Sequence, residues 1–448
     1  VTATWSIQRA EHGEQPWWAL IGLASVLGGI GQPGQGIAFG YGSINGMGTP
    51  RQGLPSVNLP ATRNNGISIP VARVTELLER PGEVLAYNGR DIVLPDIRLI
   101  WWAGGNPFHH HQDLNRLLRG WNRADTVVVH EPWWTACARH ADIVLPATTT
   151  LERNDIASSS RDRFVRAMHR AVPPQGQARN DHDILADVAE ALGYRDRFTE
   201  QRDENAWLRH LYEQWRQSCA RLGTEVPDFD TFWAEGHVEF PPPAEPFVQF
   251  ADFARDPQNH PLATPSGRVE LFSETIAAMN YDEIPGHAVW RAPREWLGGA
   301  LARRFPLHLL SFQPATRLHG QLDGGRVSQA SKIQGREPVL MHPADAAARG
   351  LQEGDAVRIF NDRGAAIGGL RITEDLRPGV VAMATGAWWD PRGELCVHGN
   401  ANVLTQDVGT SRLGQGCAAQ SCLVQIEAWQ GELPVVRVHQ RPNIVAEN

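Results

Sequence analysis

The stretch that most constrains the fold is "DIRLIWWAGGNPFHHHQDLNRLLRGWNRADTVVVHEP", residues 96–132. It holds two short, strongly apolar runs, "DIRLIWWAG" and "TVVVHEP", separated by the helical pattern "FHHHQDLNRLLRGW". A third short apolar run, "ADIVLPAT", ends in proline. Apolar runs of this length, alternating with helices, predict parallel strands covered on both faces. The expected class is therefore α/β with a Rossmann-like parallel sheet.

The turn between the first strand and its helix is Gly104-Gly105-Asn106-Pro107, and three histidines, 109 to 111, follow at once. Successive helical side chains point about 100° apart, so the three cannot face one metal from a helix. In a strand they would alternate faces. A polar lining to a cleft ranks above a metal site. Strand-to-helix turns at the carboxyl edge of a parallel sheet hold nucleotides and phosphates, with free helix N–H groups as donors. On this reading Gly104 and Gly105 allow close approach and His110 reaches a phosphate or a pterin; the bland alternative is a tight turn with surface histidines. Glu131, at the end of the second strand, is placed for a base or ribose, or is simply a surface carboxylate.

Upstream, "EQPWWALIGLASVLGG" predicts an apolar helix over roughly 17–27, stopped by glycines. A glycine-rich loop follows, then "GISIPVARVTELLERPG" as a short strand and a helix. "NDHDILADVAEALG" has the acidic start and glycine stop of a helix. Between 200 and 300 the pattern is less regular, and Trp207, Trp215 and Trp233 are expected in a core. From Pro306 onward, "PLHLLSF", "PVLMH", "DAVRIFNDRGAAIGGLRIT", "GVVAMAT" and "CLVQIEAW" are short apolar runs cut by Gly, Asp and Pro turns. They predict a mostly β domain closed into a barrel.

Residue supply excludes several chemistries. The formal charge of −8 disfavours non-specific nucleic-acid binding. Lys332 is the only lysine, which almost excludes a phosphate-loop or Schiff-base lysine. The five cysteines form no Cys-x-x-Cys, so neither a zinc ribbon nor a cysteine-ligated cluster is expected, and Cys417 and Cys422 are expected as small buried hydrophobes. No apolar run is long enough to cross a bilayer. The chain opens Val-Thr-Ala-Thr-Trp with no leader pattern, so a processed chain or a piece of something longer is expected, and the compartment stays open between cytoplasm and periplasm. A nicotinamide dehydrogenase is disfavoured, because no Gly-x-Gly-x-x-Gly follows a strand.

Seven stretches, in order, span nearly the whole chain: "WSIQRAEHGEQPWW", "GGNPFHHHQDLNRL", "ARHADIVLPATTTLERNDI", "QARNDHDIL", "PSGRVELFSE", "SFQPATRLHGQL" and "HGNANVLTQDVGTSRLGQG". With them the chain resembles the molybdopterin-dependent oxidoreductases of the dimethyl sulfoxide reductase family, nearest the biotin sulfoxide and trimethylamine N-oxide branch. The resemblance implies a molybdenum chelated by two molybdopterin guanine dinucleotides. It implies cofactor contacts at Asn106, His110, Ser311, Gln313, Leu318, His319, Asn402 and Gln420. It places His130 and Glu131 at the guanine or ribose end, with Arg153 and Asp181 on the same side, and Trp5 and Arg9 in the funnel above the metal.

The family's usual Leu-His-Ser-Gln is Leu318-His319-Gly320-Gln321 here, and "GQGCAAQ" replaces a more usual Gly-Thr-Cys-Gly-Gln. Members of that branch are far longer and take their protein ligand to molybdenum, a serine, from an N-terminal part that these residues do not match. The expected organisation is part of an α/β domain over 1–155, an interdomain α/β region over 156–300, and a C-terminal dinucleotide-binding barrel of double-psi type over 301–448. The implied activity is oxygen-atom transfer from a sulfoxide or N-oxide, with a separate electron donor. Arg9 is either a cation for a developing oxyanion or half of a structural salt bridge. Aromatic residues around Phe39–Tyr41 are expected to form an apolar funnel. Two rival readings stand beside this one: a family member with another substrate, and a non-catalytic fragment that binds a nucleotide or a partner.

Overall fold

The computed structural model describes residues 1–38, 57, 66–159, 163–242, 245 and 247–442. The expected funnel at Phe39–Tyr41 lies outside the described residues.

The parallel sheet forms as expected. Leu99–Ala103, Thr126–His130 and Ile143–Leu145 run side by side, with Ile100 opposite Val127 and Val129 opposite Val144. All three strands point their carboxyl ends the same way, so Gly104–Asn106, Glu131 and Pro146–Thr148 gather at one edge. The apolar helix spans Glu14–Val26, and "NDHDILADVAEALG" is helical over Asp181–Ala191. "GISIP" is not a strand; the chain runs without regular structure into a 3-10 turn at Val71–Arg73 and a helix at Val74–Glu79.

The helix expected after Asn106 is broken in two, Pro107–His110 and Leu114–Trp121. His111 is extended and Asp113 is left-handed at φ 41°. The break has two visible causes. The Asp113 carboxylate accepts from Arg116 N at 3.1 Å and starts a new helix, and the His111 ring turns inward to Thr75 and Asp407.

The C-terminal strands close into a six-stranded barrel. Leu307–Phe312 pairs in parallel with Val380–Ala384, which pairs antiparallel with Pro338–Met341. Pro338–Met341 runs parallel to Gly364–Ile372, which forms a hairpin with Ala356–Asn361. Leu423–Ala428 joins that hairpin to Leu307–Phe312 and closes the ring. Between the sheet and the barrel, Asp155–Ala157, Phe164–Met168 and His237–Glu239 form a small antiparallel sheet. It has its own core of Val165, Tyr212, Trp215, Phe229 and Phe232. Of the three tryptophans expected there, Trp215 is buried in that core and Trp233 packs at its margin, whereas Trp207 is outside it.

The sheet and the barrel share one core. Ile100, Phe108, Leu114, Leu117 and Trp121 pack in the same cluster as Leu307, Val339, Ile359, Val381 and Ile426. Phe108 is the plug between them: its fully buried ring meets Trp121 edge-on at 5.3 Å and stacks on Trp389 at 5.3 Å. Aromatic pairs of this kind add about 0.5–1.5 kcal/mol beyond burial. The strand edge and the barrel loops are thereby fixed against each other, and the cleft lies where they meet. Among the described residues no helix is long and apolar enough to cross a membrane.

Candidate functional site

Asn106 caps its short helix: its Oδ1 accepts from Phe108 N at 3.1 Å. Pro107 has no N–H, and His109 N already bonds Asn106 O at 3.1 Å. One turn of helix with its donors engaged is a poor anion site, so the expectation of free helix N–H groups does not hold. Gly104 and Gly105 remain, with φ of 81° and 71°, a backbone that side-chain-bearing residues rarely adopt. The Asn106 Nδ2 is buried and finds no hydrogen-bond partner of normal geometry among the described residues.

The three histidines leave in three directions. His109 goes under the barrel loops, 4% exposed, and stacks on Trp388 at 5.2 Å. His111 is buried between Thr75 Oγ1 at 2.9 Å and Asp407 Oδ2 at 3.2 Å. Only His110 is exposed, and its ring faces His319 at 6.4 Å between centroids. Its ring is open to the cleft on one side and hemmed in on the other. That partial burial, reinforced by His319, His111 and Arg9, lowers its pKa to about 4. Burial takes His109 down to about 3. Both are neutral at pH 7.

From the barrel side, Gln313 Nε2 and His319 Nδ1 are 2.7 Å apart, and His319 N donates to Gln313 Oε1 at 3.3 Å. His319 is left-handed, φ 50°, and Leu318 beside it is 59% exposed. Gln420 and Ser311 are tied to each other, Ser311 N donating to Gln420 Oε1 at 3.2 Å. Gln420 N donates to Arg9 O at 2.8 Å, which brings the Trp5–Arg9 turn to the same cleft. The Arg9 guanidinium is exposed, with Nη1 3.6 Å from Cys417 Sγ, so no structural salt bridge occupies it among the described residues. Cys422 is buried as expected, but Cys417 is only partly so. Asn402 is 3% exposed; its Nδ2 reaches His109 O at 3.5 Å and its Oδ1 accepts from Thr405 at 3.1 Å. It therefore holds the backbone of the histidine turn, alongside Asn400, whose Nδ2 donates to Phe108 O at 3.1 Å and Ala387 O at 2.7 Å.

A second group lies at the sheet edge. Trp101 Nε1 donates to His130 Nε2 at 2.9 Å, so the ring proton sits on Nδ1 and is donated to Asp181 Oδ1 at 2.7 Å. Arg153 donates to Thr148 O at 3.2 Å and reaches Asp155 at 3.4 Å. Thr148 in turn donates to Asn180, one residue before Asp181. Glu131 accepts from Thr135 Oγ1 at 2.9 Å, yet burial pushes its pKa up to about 7. A raised carboxyl pKa means that ionisation costs stability. The cost is absent below the ordinary carboxylate range and complete above about pH 7. Glu131→Gln is accordingly expected to stabilise the cofactor-free chain at pH 8 by about 1–3 kcal/mol and to change little at pH 4. Denaturant titrations at the two pH values check this.

Reading the sequence alone overlooks a buried charge cluster beneath these loops. Asp323, Arg317, Lys332 and Glu337 all have side chains at most 2% exposed. Asp323, His398 and His439 bring ligand-type atoms within 4.8 Å of one another. Hydrogen bonding accounts for that trio better than a metal does. His398 Nδ1 donates to Trp388 O at 2.9 Å, and Arg317 and Lys332 already balance the two carboxylates. The signal in the sequence is a lone lysine in a chain whose other basic residues are arginines.

The Gly320 departure also has a structural reason. A Cβ there would lie 2.3 Å from His109 Nδ1. Gly320→Ser is expected to cost about 1–3 kcal/mol through overpacking. Adding His109→Ala should remove most of that penalty, which a double-mutant cycle of denaturant midpoints measures; equal costs in both backgrounds would show that the two residues do not clash.

The geometry meets known proteins at this point. A family model described as "Molybdopterin oxidoreductase" matches residues 1–191, and one described as "Molydopterin dinucleotide binding domain" matches residues 307–423. Over 438 residues the chain is 47% identical to a biotin sulfoxide reductase of Cereibacter sphaeroides, covering 96% of this chain and 58% of that protein. It is 43% identical over 462 residues to a dimethyl sulfoxide/trimethylamine N-oxide reductase of the same organism, covering 99% and 56%. It is 41% identical over 465 residues to a trimethylamine-N-oxide reductase of Haemophilus influenzae, covering 99% and 56%. The chain thus spans a little over half the length of these relatives. Among solved structures, acetylene hydratase from Pelobacter acetylenicus superposes with a TM-score of 0.57 at 19% identity, covering 75% of this chain and 45% of that one, a likeness of fold alone.

Proposed function

This chain belongs to the molybdopterin oxidoreductase family, and from that premise we propose that it is the cofactor-binding portion of a sulfoxide or N-oxide reductase. The observation that carries the reading is the junction itself. Asn400 and Asn402 clamp the 106–110 turn to the barrel, so that His110 faces His319 beside Arg9. When bound, molybdenum held by two molybdopterin guanine dinucleotides supplies a two-electron redox centre for oxygen-atom transfer.

The residues present fit such a group. The buried amide nitrogen of Asn106 makes no hydrogen bond of normal geometry among the described residues and has Glu131 near it, the exposed His110 ring with its lowered pKa is a neutral donor or acceptor, and an exposed arginine stands over the cleft. On this reading Asn106, His110, Gln313, Leu318 and His319 contact pterin, with Ser311, Gln420 and Asn402 shaping that wall. Glu131, with its neighbour His130, takes the guanine or ribose end, with Arg153 and Asp181 on the same side. Trp5 and Arg9 line the approach, and Arg9 offers its cation to oxygen as negative charge develops. The net reaction takes up two electrons and two protons and converts a sulfoxide to a sulfide, or an N-oxide to an amine, plus water; a separate donor supplies the electrons. The domain limits that go with this reading are 1–155, 156–300 and 301–448, the last a double-psi barrel.

The test is chemical. The full-length protein should contain molybdenum, release two GMP per metal on acid hydrolysis, and reduce a sulfoxide with reduced viologen as donor. Turnover by a preparation free of molybdenum would sink the reading.

A further inference from the structure

Four buried charges lie directly beneath the loop that carries Leu318 and His319. Arg317 is the member that touches that loop. Its side chain is fully buried, Nε donates to His319 O at 3.0 Å, and Nη2 donates to Thr385 O at 2.9 Å. His319 lies in the loop after Leu307–Phe312 and Thr385 directly follows Val380–Ala384; these strands are parallel neighbours, so the two loops leave the barrel at the same end. The guanidinium is itself fixed: Asp323 Oδ1 lies 3.4 Å from Nε and Glu337 Oε2 lies 3.1 Å from Nη2. Lys332 bridges the same two carboxylates.

His319 needs such a hold. A histidine at φ 50° is strained relative to extended or helical backbone. Its ring is aimed by Gln313 and faces His110. Release of the carbonyl would let the backbone relax and swing the ring away from the cleft. A lysine at 317 would keep the charge but could not reach both carbonyls in the planar fork that arginine offers.

We propose that Arg317 is a positioning residue: through the His319 and Thr385 carbonyls it locks His319 in its left-handed conformation and so aims the imidazole into the cleft. This rests on the proposed function only for what the imidazole meets there. The backbone lock can be tested without cofactor.

The experiment is Arg317→Lys in the full-length protein, with His319→Ala and the double variant. Amide hydrogen exchange on the cofactor-free protein should rise at least about 10-fold across residues 318–321 in Arg317→Lys, while the barrel strands stay as protected as in the parent. Cofactor affinity, read as molybdenum and GMP retained per chain, should fall roughly 10- to 100-fold, as when the support of a ligating residue is lost. The double variant should retain no less cofactor than His319→Ala alone, because Arg317 acts through that ring. Unchanged exchange at 318–321 overturns the lock. Additive losses in the double variant overturn the route through His319. A lysine variant too unstable to purify also counts against the proposal, since a positioning role requires a folded chain with a mis-set site. A parent protein that holds no molybdenum or GMP would defeat the proposed function and leave the exchange result standing.

Discussion

Gly386→Ala is expected to abolish cofactor retention and to destabilise the barrel end of the cleft by about 2–6 kcal/mol. Gly386 sits at φ 86°, where an L side chain is strained whatever the space. There is no space either, since a Cβ would lie 2.2 Å from both the carbonyl carbon and the oxygen of His319. Those are backbone atoms and cannot turn aside as a long side chain can. The loop after Val380–Ala384 would have to lift, and Thr385 O and Trp388 would lift with it. Trp388 Nε1 donates to Gly320 O at 2.7 Å and its ring carries the His109 stack, so one methyl group disturbs both sides of the cleft. Metal and GMP per chain, with a denaturant titration, check this; a normally loaded variant would show that the two loops can separate without consequence.

Asp407→Ala should cost about 3–5 kcal/mol, the range for removing one member of a buried ion pair. The carboxylate is 1% exposed and meets Arg73 Nη2 at 3.1 Å, His111 Nε2 at 3.2 Å and Arg116 Nη1 at 3.6 Å. Without it Arg73 and Arg116 keep Glu76 and Glu79 as charged partners, with the backbone carbonyl of residue 407. The three partners come from the Val71–Arg73 turn, the histidine turn and the helix after it, whereas Asp407 belongs to a barrel loop, so the loss falls on the junction. Burial pushes the Asp407 pKa up, but the hydrogen bond and charge of His111, with Arg73 and Thr75, hold it below its ordinary value. A depressed carboxylate gives stability that is present above the unfolded pKa and is lost as the pH falls through the folded one. The parent should therefore lose this contribution in acid below the ordinary carboxylate range, and the alanine variant should show a flatter profile there. Unfolding titrations from pH 7 down to pH 3 on both proteins measure it; parallel profiles would mean that Asp407 is not the group that titrates.

Much of the architecture was legible because its signals are local. The strands around Trp101, Val128 and Val144 are short apolar runs with helices or turns between them, and the barrel strands are cut by Gly, Asp and Pro. What was not legible depends on contacts distant in sequence. The break at His111 follows from an aspartate almost 300 residues later, and no periodicity in "FHHHQDLNRLLRGW" announces it. The charge cluster joins Arg317, Asp323, Lys332, Glu337 and His439, and only the lone lysine hinted at it. "GISIP" has the composition of a strand but takes no regular structure, so local propensity did not decide it. At the site, the resemblance supplied residue identities, whereas their roles follow from geometry: Asn402 and Asn400 hold backbone, and His109 and His111 are buried supports rather than solvated neighbours.

On the proposed function the cofactor lies where the histidine turn meets the barrel, and His110 alone of the three histidines faces it. His110→Ala, His109→Ala and His111→Ala should be compared in the full-length protein for molybdenum per chain and for unfolding of the cofactor-free form. Losing one hydrogen bond to a charged group costs roughly 1.5–3 kcal/mol, about 10- to 150-fold in affinity. His110→Ala should show that loss of metal with an unfolding midpoint near the parent's. His109→Ala and His111→Ala should lower the midpoint, because their rings are packed on Trp388 and bonded to Asp407. Full molybdenum loading of His110→Ala, or equal metal loss from three variants with unchanged midpoints, would contradict the account.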